Sequence, residues 1–338
     1  MNANWQEFLG ACGGRIDHGR ISDFGDIGAE LLAARDATIV SPLAHLATIG
    51  FAGDDAKAFL HNQLTSDVAH LSVDAAQHSA WCTPKGRMAA SFLLYRERSE
   101  YRALLSADLL EAIRKRLQIF VLRSKVVISD LSDRCQLIGL AGPQAAATLQ
   151  SAGLPTPDET LKTSAFAGGT VIKVDGLRWI VAVGSDAAKA LWQKLAANAR
   201  PVGTAAWQWL DIQAGMPLIT EATKEEFVPQ MANFDAIGGV SFHKGCYPGQ
   251  EIVARAQYLG KVKRHLYRVR TTGAMAAGAA ILTPEDALHP CGMVANASPA
   301  PGGGFVGLAV IQENFIATGN LELGAPGGPR VMIDGVVR

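Results

Sequence analysis

The sequence predicts an α+β protein that ends in a small all-β barrel or sandwich. Three observations favour this class. The chain has 338 residues, more than one hydrophobic core usually supports, so we expect two or three domains. A strand–turn–helix pattern occurs twice. After Arg264 the sequence changes to short apolar runs separated by Gly, Pro, Asn and Ser, which is typical of small β-barrels and sandwiches.

The repeated pattern lies at 49–60 and 138–149, where both segments read Ile-Gly-x-Ala-Gly-x-x-Ala-x-Ala-x-Leu. Gly53 and Gly142 are predicted to reverse the chain after a strand. Asp54 and Pro143 suit the first positions of the helix that follows. One interpretation is that a common strand-to-helix turn occurs twice by chance, and the other is that the chain contains two related α+β halves.

Between the two copies the sequence predicts a β-hairpin and then an amphipathic helix. Thr83-Pro84-Lys85-Gly86 fits a type I turn, with proline at its second position and glycine at its fourth. Ser106 is predicted to cap the helix. The apolar face of this helix is predicted to consist of Leu109, Leu110, Ile113, Leu117 and Phe120.

The second half is predicted to hold a hairpin about Asp175-Gly176 and helices at about 186–198 and 204–214. The apolar runs of the C-terminal barrel then follow from His265 to the end of the chain.

Composition and charge narrow the classes of function. Lysine plus arginine balance aspartate plus glutamate, 31 against 31, so direct binding of nucleic acid is not expected. The amino terminus lacks the basic start and apolar core of a secretory signal, and no apolar run has the length of a membrane span. Five scattered cysteines without a CxxC pair argue against a metal site and a disulfide framework. We expect a cytoplasmic protein.

The segment SFHKGCYPGQEIVAR, Ser241 to Arg255, is the candidate functional loop. Its glycines and proline exclude a regular helix or central strand around Cys246. Lys244 and the positive end of a helix beginning near Gln250 would stabilise a thiolate there. Glu251 could accept a proton or pair with Arg255. A structural cysteine that fills space beside its neighbours is the alternative from these residues alone.

The octet KGCYPGQE, within the longer segment 227–266, resembles the signature of the YgfZ family. These are folate-binding proteins related to the T-protein (aminomethyltransferase) of the glycine cleavage system. The resemblance extends more faintly to GDDAKAFLHNQLTSDV, CTPKGRMAASFLLYR and LDIQAGMPLI. It implies a T-protein-like, three-lobed architecture around a central folate pocket. Residues 1–260 would form the folate-binding region, with intertwined α+β lobes at about 40–125 and 126–260, and residues 261–338 would form the β-barrel.

The resemblance also implies an accessory role in maintaining iron–sulfur enzymes, including one that thiomethylates tRNA. Tetrahydrofolate, with or without a polyglutamate tail, is the implied cofactor. The implied partners are folate and iron–sulfur enzymes or their assembly proteins. By this likeness the reactive centre consists of Cys246, Lys244 and Glu251. The implied folate contacts are Gln213, Gly245, Gly249, Gln250 and Arg255.

Two departures from the T-protein pattern bear on activity. The segment Met88-Ala89-Ala90-Ser91 stands where aminomethyltransferases carry an acidic pair, which argues against glycine cleavage itself. Gln213 stands where a glutamate is usual, and its NH2 donor competes with its one carbonyl acceptor, so folate is expected to bind less tightly or in a shifted pose.

We therefore do not expect a classical enzyme. Two other functions stay open. One is a tetrahydrofolate-dependent one-carbon transferase of unknown substrate, and the other is a folate-independent module that docks client proteins through the Cys246 loop.

Overall fold

The α-helices of the chain are short and are separated by strands throughout the first two thirds of the sequence. The computed structural model describes residues 2–260, 262–286, 288–317 and 319–337. The helices are α1 (Ala3–Ala11), α2 (Ile27–Asp36), α3 (Ala56–Gln63), α4 (Leu110–Ile119), α5 (Ala145–Ser151), α6 (Ser185–Ala196), α7 (Thr204–Gln213) and α8 (Gln250–Tyr258). The 3₁₀ segments are Val68–His70, Ala107–Leu109, Glu221–Thr223, Pro229–Ala232 and Glu313–Phe315. Within the described ranges, no helix is both long and apolar enough to cross a membrane.

The chain forms two compact units, each assembled from separate stretches of sequence. The first contains residues up to Leu60 together with Val68–Gln77 and Leu93–Trp207. The second contains His61–Asp67, His78–Phe92 and the chain from Gln208 onward. The predicted domain boundaries near residues 125 and 260 stay a prediction. Lys261 and Arg338, the ends of the predicted barrel domain, lie outside the described residues.

Two β-sheets of the protein share the spatial order of four neighbouring strands, which are the second, third, fourth and first strand of each half. The six-stranded sheet runs, in spatial order, through β10 (Thr163–Phe166), β11 (Gly169–Asp175), β12 (Arg178–Gly184), β9 (Cys135–Ala141), β3 (Ile39–Pro42) and β13 (Arg200–Pro201). The five-stranded sheet runs through β5 (Ala76–Cys82), β6 (Met88–Glu97), β7 (Glu100–Ser106), β4 (Leu46–Ala52) and β8 (Val127–Asp130). A separate two-stranded sheet contains β1 (Arg15–Asp17) and β2 (Arg20–Asp23). The common order favours the interpretation of two related α+β halves.

The repeated glycines adopt the same conformation in the two halves. Gly53 follows β4 with φ 114°, and Gly142 follows β9 with φ 112°. A Cβ on Gly53 would lie 2.1 Å from the carbonyl oxygen of Lys125, and one on Gly142 would lie 2.2 Å from that of Ala37. Only glycine fits either position, and the predicted turns are confirmed.

Two details of helix starts differ from the prediction. Asp54 and Pro143 lie within the turns, since α3 and α5 begin two residues later. Ser106 ends β7 and makes no side-chain hydrogen bond as a cap. It occupies the N-cap position of the 3₁₀ segment Ala107–Leu109, which precedes α4, and the backbone N–H of Ala107 donates to the carbonyl of His45 at 2.9 Å.

The buried apolar face of α4 also contains fewer residues than predicted. Leu109, Ile113 and Leu117 are buried, but Phe120 is 42% exposed because it lies just beyond the end of the helix. The predicted helices at 186–198 and 204–214 correspond to α6 and α7, and the predicted hairpin about Asp175 joins β11 to β12.

The C-terminal part of the second unit forms a closed six-stranded barrel, as predicted. Its strands, in spatial order, are β14 (Arg264–Thr271), β17 (Phe305–Gln312), β16 (Gly292–Pro299), β15 (Ala280–Leu282), β18 (Leu321–Leu323) and β19 (Arg330–Val336). Alternate residues such as Val269, Val294 and Ile311 pack in its core. The sequence did not indicate β18, which is only three residues long.

Candidate functional site

The segment Lys244–Tyr247 turns two residues inward and two outward. Lys244 and Tyr247 are buried, with 8% and 7% of their surface exposed. Gly245 and Cys246 between them are exposed. The thiol therefore lies on a short bridge between two buried side chains, where an external group can reach it. Cys246 does not fill space in a core.

The buried ammonium of Lys244 binds the end of α3. Its Nζ donates to the backbone carbonyl of His61 and, at 2.5 Å, to that of Leu64. Carbonyls at the carboxyl end of a helix lack intrahelical partners, and the helix dipole favours a positive charge there. The same Nζ lies 5.1 Å from the centroid of the Tyr247 ring, a cation–π arrangement. Lys244 thus fixes the loop to the second unit's His61–Asp67 stretch.

This position changes the titration of Lys244. Burial lowers its pKa from the ordinary 10.5 to about 8, while the carboxylate of Asp67 acts in the opposite direction. Because the ammonium is directed at backbone carbonyls, its hydrogen bonds anchor the loop. The predicted influence of Lys244 on the Cys246 thiol stays a prediction.

A tight turn follows the thiol and begins α8. The N–H of Gln250 donates to the carbonyl of Tyr247 at 3.2 Å, with Pro248 and Gly249 as the central residues. Gly249 has φ 80° and ψ 3°, which with proline before it defines a type II turn. The carbonyl of Gly249 then accepts from Ile252 at 3.1 Å as α8 begins. The predicted helix start near Gln250 is confirmed.

The turn before α8 packs directly on the turn of the β5–β6 hairpin. In that hairpin Gly86 donates its N–H to the carbonyl of Thr83 at 2.8 Å, which confirms the predicted turn. A Cβ on Gly249 would lie 2.4 Å from the Thr83 oxygen and 2.7 Å from the Gly86 Cα. A Cβ on Gly86, whose φ is 70°, would lie 2.8 Å from the Cβ of Ile252. The two backbones touch, and this contact requires glycine on both sides.

Further contacts fix both ends of the loop. Before it, the N–H of Ser241 donates to the Thr65 carbonyl at 2.9 Å, and the Thr65 hydroxyl donates to the Gly239 carbonyl at 2.6 Å. After it, the side-chain amide of Gln230 donates to the carbonyl of Val253 in α8 at 2.7 Å. The segment that carries Cys246 is therefore held from both sides.

Comparison with known proteins identifies the family. A family model described as the GCVT N-terminal domain matches residues 20–240. The tRNA-modifying protein YgfZ of Photobacterium profundum is 36% identical over 244 residues, which are 70% of this chain and 72% of that protein. The chain belongs to the YgfZ family.

A second YgfZ relative and one solved structure agree with this assignment. The tRNA-modifying protein YgfZ of Yersinia pseudotuberculosis serotype O:1b (strain IP 31758) is 36% identical over 237 residues, 68% of this chain and 70% of that protein. The crystal structure of glycine cleavage system aminomethyltransferase T from Bartonella henselae matches with a TM-score of 0.81 and 19% identity, covering 97% of this chain and 95% of that one. The predicted YgfZ family and T-protein-like α+β fold are confirmed.

This YgfZ-family chain has apolar and hydroxyl side chains at 88–91, the segment where aminomethyltransferases carry an acidic pair. Met88, Ala89 and Ala90 are buried at the start of β6. The Ser91 hydroxyl is also buried and accepts a 2.9 Å hydrogen bond from the N–H of Ile219. This part of β6 therefore belongs to the packed interior of the second unit, and its side chains include no carboxylate that could act as a general acid or base.

The remaining predicted site residues lie on two helices. Gln213 is half-buried at the end of α7, and its carbonyl accepts a 3.1 Å hydrogen bond from the Arg268 guanidinium in β14. Glu251 and Arg255 are exposed on α8, one helical turn apart. In the part of the chain that the structure describes, no hydrogen bond joins the Gln213 side chain to residues 244–251. The assigned roles of these residues stay predictions.

Sequence reasoning missed the groups that support the loop. The carbonyls of His61 and Leu64 carry no sequence signal of their own, and Leu64 lies 180 positions before Lys244. Gly86 was identified as a turn residue but not as the partner of Gly249. Across the described ranges, no group of three or more His, Cys, Asp or Glu side chains could bind a metal ion.

Proposed function

We propose that this chain is a folate-binding accessory protein for iron–sulfur enzymes that modify tRNA, and that it presents Cys246 to these client proteins. The observation that carries the proposal is the exposed thiol on a segment fixed by Lys244, Tyr247 and Gly249. Its relatives are named tRNA-modifying proteins, which supports tRNA modification as the process. A fixed, exposed thiol is suited to transient contact with another protein.

The surroundings of Cys246 support an accessory role over catalysis. General acid–base catalysis needs a titratable group within hydrogen-bond reach of the reacting atoms. Lys244 is directed at backbone carbonyls, and Glu251 is exposed on α8. A one-carbon transferase would have to use Glu251, the remaining acid of the loop. Steady consumption of tetrahydrofolate and a donor would favour that alternative, and its absence would favour the accessory role.

Tetrahydrofolate is the proposed ligand, and the chemistry of Gln213 is compatible with it. A pterin presents an amino-amide edge, and the Gln213 amide supplies one acceptor and one donor to such an edge. The contact would lack the charge assistance that a glutamate provides. Gly245, Gly249, Gln250 and Arg255 are the further proposed contacts. When bound, tetrahydrofolate would carry one-carbon units on its nitrogen atoms.

The role of the thiol is tested in cells that lack this protein. Thiomethylated tRNA nucleosides are measured by mass spectrometry after expression of wild type, Cys246→Ala or Cys12→Ala. Cys12 is the matched control because it is also an exposed free cysteine. We expect wild-type levels with Cys12→Ala and the level of the deletion strain with Cys246→Ala. Full activity of Cys246→Ala would overturn the proposed role of the thiol.

The folate part is tested separately by calorimetry of tetrahydrofolate binding to wild type and Gln213→Glu. A charge-assisted hydrogen bond is stronger than a neutral one, so we expect the glutamate to lower Kd by about tenfold, or about 1.4 kcal/mol. Absence of binding to both proteins would remove folate from the proposal. The client-docking module would then be the remaining function, provided that Cys246 proves necessary in cells.

A further inference from the structure

The first unit contains a concave site that is remote in sequence from the Cys246 loop. The cavity has a volume of about 850 Å³ and is lined by residues of both sheets, from β4, β6–β8 and β9–β12. Sites for small organic molecules in proteins commonly have volumes of roughly 300–1,000 Å³. The cavity is therefore large enough for a molecule of nucleotide size.

The acidic side chains of this cavity already have cationic partners. Asp74 accepts a 3.1 Å hydrogen bond from Lys162. Glu97 lies 2.8 Å from the Arg102 guanidinium, and Glu100 lies 3.8 Å from the same group. Arg102 and Lys162 thus offset two of the three negative charges of the lining.

Three further arginines of the lining leave the cavity with an excess of positive charge, because together with Arg102 and Lys162 they give five cations against three carboxylates. Arg96, Arg98 and Arg134 form no ion pair within the described residues. Arg98 and Arg134 are exposed, while the guanidinium carbon of Arg96 lies 5.4 Å from the centroid of the Tyr101 ring. Like charges around one cavity repel each other. A guanidinium fork matches the oxygens of phosphate and carboxylate groups, so an anion would relieve this repulsion.

Arg98 also occupies an unfavourable backbone position. It lies in the two-residue turn between Glu97 of β6 and Glu100 of β7, with φ 58°. Glycine, asparagine and aspartate are preferred at such positions of hairpin turns. Residues with a strained backbone are often found at ligand sites, where the strained conformation is part of the site's function. The strain is an observation independent of the charges, and it concerns a guanidinium that lines the cavity.

An apolar wall completes the lining. Val73 and Val127 are 64% and 63% exposed although they are apolar, and both line the cavity together with the half-buried ring of Phe166. Ligand sites typically combine apolar walls with a few orienting polar groups. The ligand that fits these features has an apolar part beside its anionic group.

We propose that this cavity binds a small organic anion, whose phosphate or carboxylate group is held by Arg96, Arg98 and Arg134 and whose apolar part lies against Val73, Val127 and Phe166. The site goes beyond the proposed function of the Cys246 loop and does not depend on it.

The test is calorimetric titration of the full chain at low ionic strength with two probes. Adenosine 5′-monophosphate represents an aromatic phosphate, and N-benzoyl-triglutamate represents an aromatic carboxylate. The variants are Arg98→Asn and Arg134→Gln, and the control is Arg123→Asn, an exposed arginine outside the cavity lining. We expect saturable binding of at least one probe, weakened about fivefold or more by each cavity variant and unchanged in the control. The probe that binds identifies the class of anion.

Arg98→Asn provides a second, opposite readout. Asparagine tolerates a positive φ better than arginine does, so the variant should melt at the same or a higher temperature than wild type while it binds the probe more weakly. A gain in stability with a loss of affinity separates a ligand role from a structural one. The proposal is overturned if neither probe binds saturably, or if Arg123→Asn weakens binding as much as the cavity variants do.

Discussion

The ammonium group of Lys244 is buried, and burial disfavours its charged form. Two carbonyls at the end of α3 and the Tyr247 ring stabilise the ammonium, whereas its removal from water favours the neutral amine. The outcome is a pKa of about 8 instead of 10.5. The anchor of the loop therefore titrates closer to neutral pH than an ordinary lysine does.

The stability of the protein should reflect this pKa. Between pH 8 and 10.5 the unfolded chain binds the Lys244 proton more tightly than the folded chain does, so unfolding becomes less favourable as the pH rises through this window. We expect wild type to gain up to about 3 kcal/mol relative to Lys244→Met, since each pKa unit corresponds to about 1.4 kcal/mol. Urea unfolding of both proteins at about pH 7, 9 and 10.5 measures the difference. A difference that stays constant with pH would contradict the assignment.

Gly245 differs from Gly249 in the same motif because no contact with a residue that the structure describes requires it to be glycine. Its backbone has no positive φ, and a Cβ would point into open space. We expect Gly245→Ala to leave the melting temperature unchanged but to lower tRNA thiomethylation in cells, because in the proposed function a client protein approaches the backbone beside Cys246. Gly176→Ala is the control, since that glycine also has open space and no positive φ. Normal thiomethylation with Gly245→Ala would exclude close approach at this point.

At the scale of elements, the turn before α8 and the β5–β6 turn behave as one unit. Alanine at Gly249 or Gly86 combines a left-handed conformation with a clash against the other turn, so we expect each variant to lose about 2–4 kcal/mol of stability. Once one substitution has separated the two turns, the Cβ added by the second substitution no longer clashes as severely with the opposite turn. The double variant should therefore lose less than the sum of the two losses. Urea unfolding of the four proteins measures this coupling, and strictly additive losses would show that the turns act independently.

The elements could be predicted where their signal is local. The glycine turns at Gly53 and Gly142, the Thr83–Gly86 hairpin and the start of α8 all follow from residues next to one another. Ser106 does occupy the N-cap position of the 3₁₀ segment before α4, but its side chain makes no capping hydrogen bond, and nothing local in the sequence distinguishes this serine from one that caps. The contact between Gly86 and Gly249 was missed because it joins segments far apart in sequence.

At the scale of the whole molecule, the family signature KGCYPGQE (residues 244–251) depends for its conformation on distant parts of the chain. The second unit begins with His61–Asp67 and His78–Phe92, and the rest of it starts only at Gln208. The short early stretches supply the carbonyls that bind Lys244 and the turn that packs on Gly249. The barrel could be predicted from its own run of strands, whereas the site depends on chain segments that the barrel's sequence does not contain.

This arrangement predicts how a fragment of the protein would behave. In the full chain the Lys244 side chain is buried, so trypsin should not cleave after it. A fragment of residues 208–338 lacks the carbonyls of His61 and Leu64 and the hairpin turn, so its loop should be open and cleaved rapidly after Lys244. Lys263 is exposed and lies outside helices and strands in the full chain, so it serves as the internal control, with cleavage after it expected in both proteins. Mass spectrometry of timed digests gives both rates. Equal protection of Lys244 in the fragment would show that the loop is held by the C-terminal segment alone, and the anchoring role assigned to α3 would then be wrong.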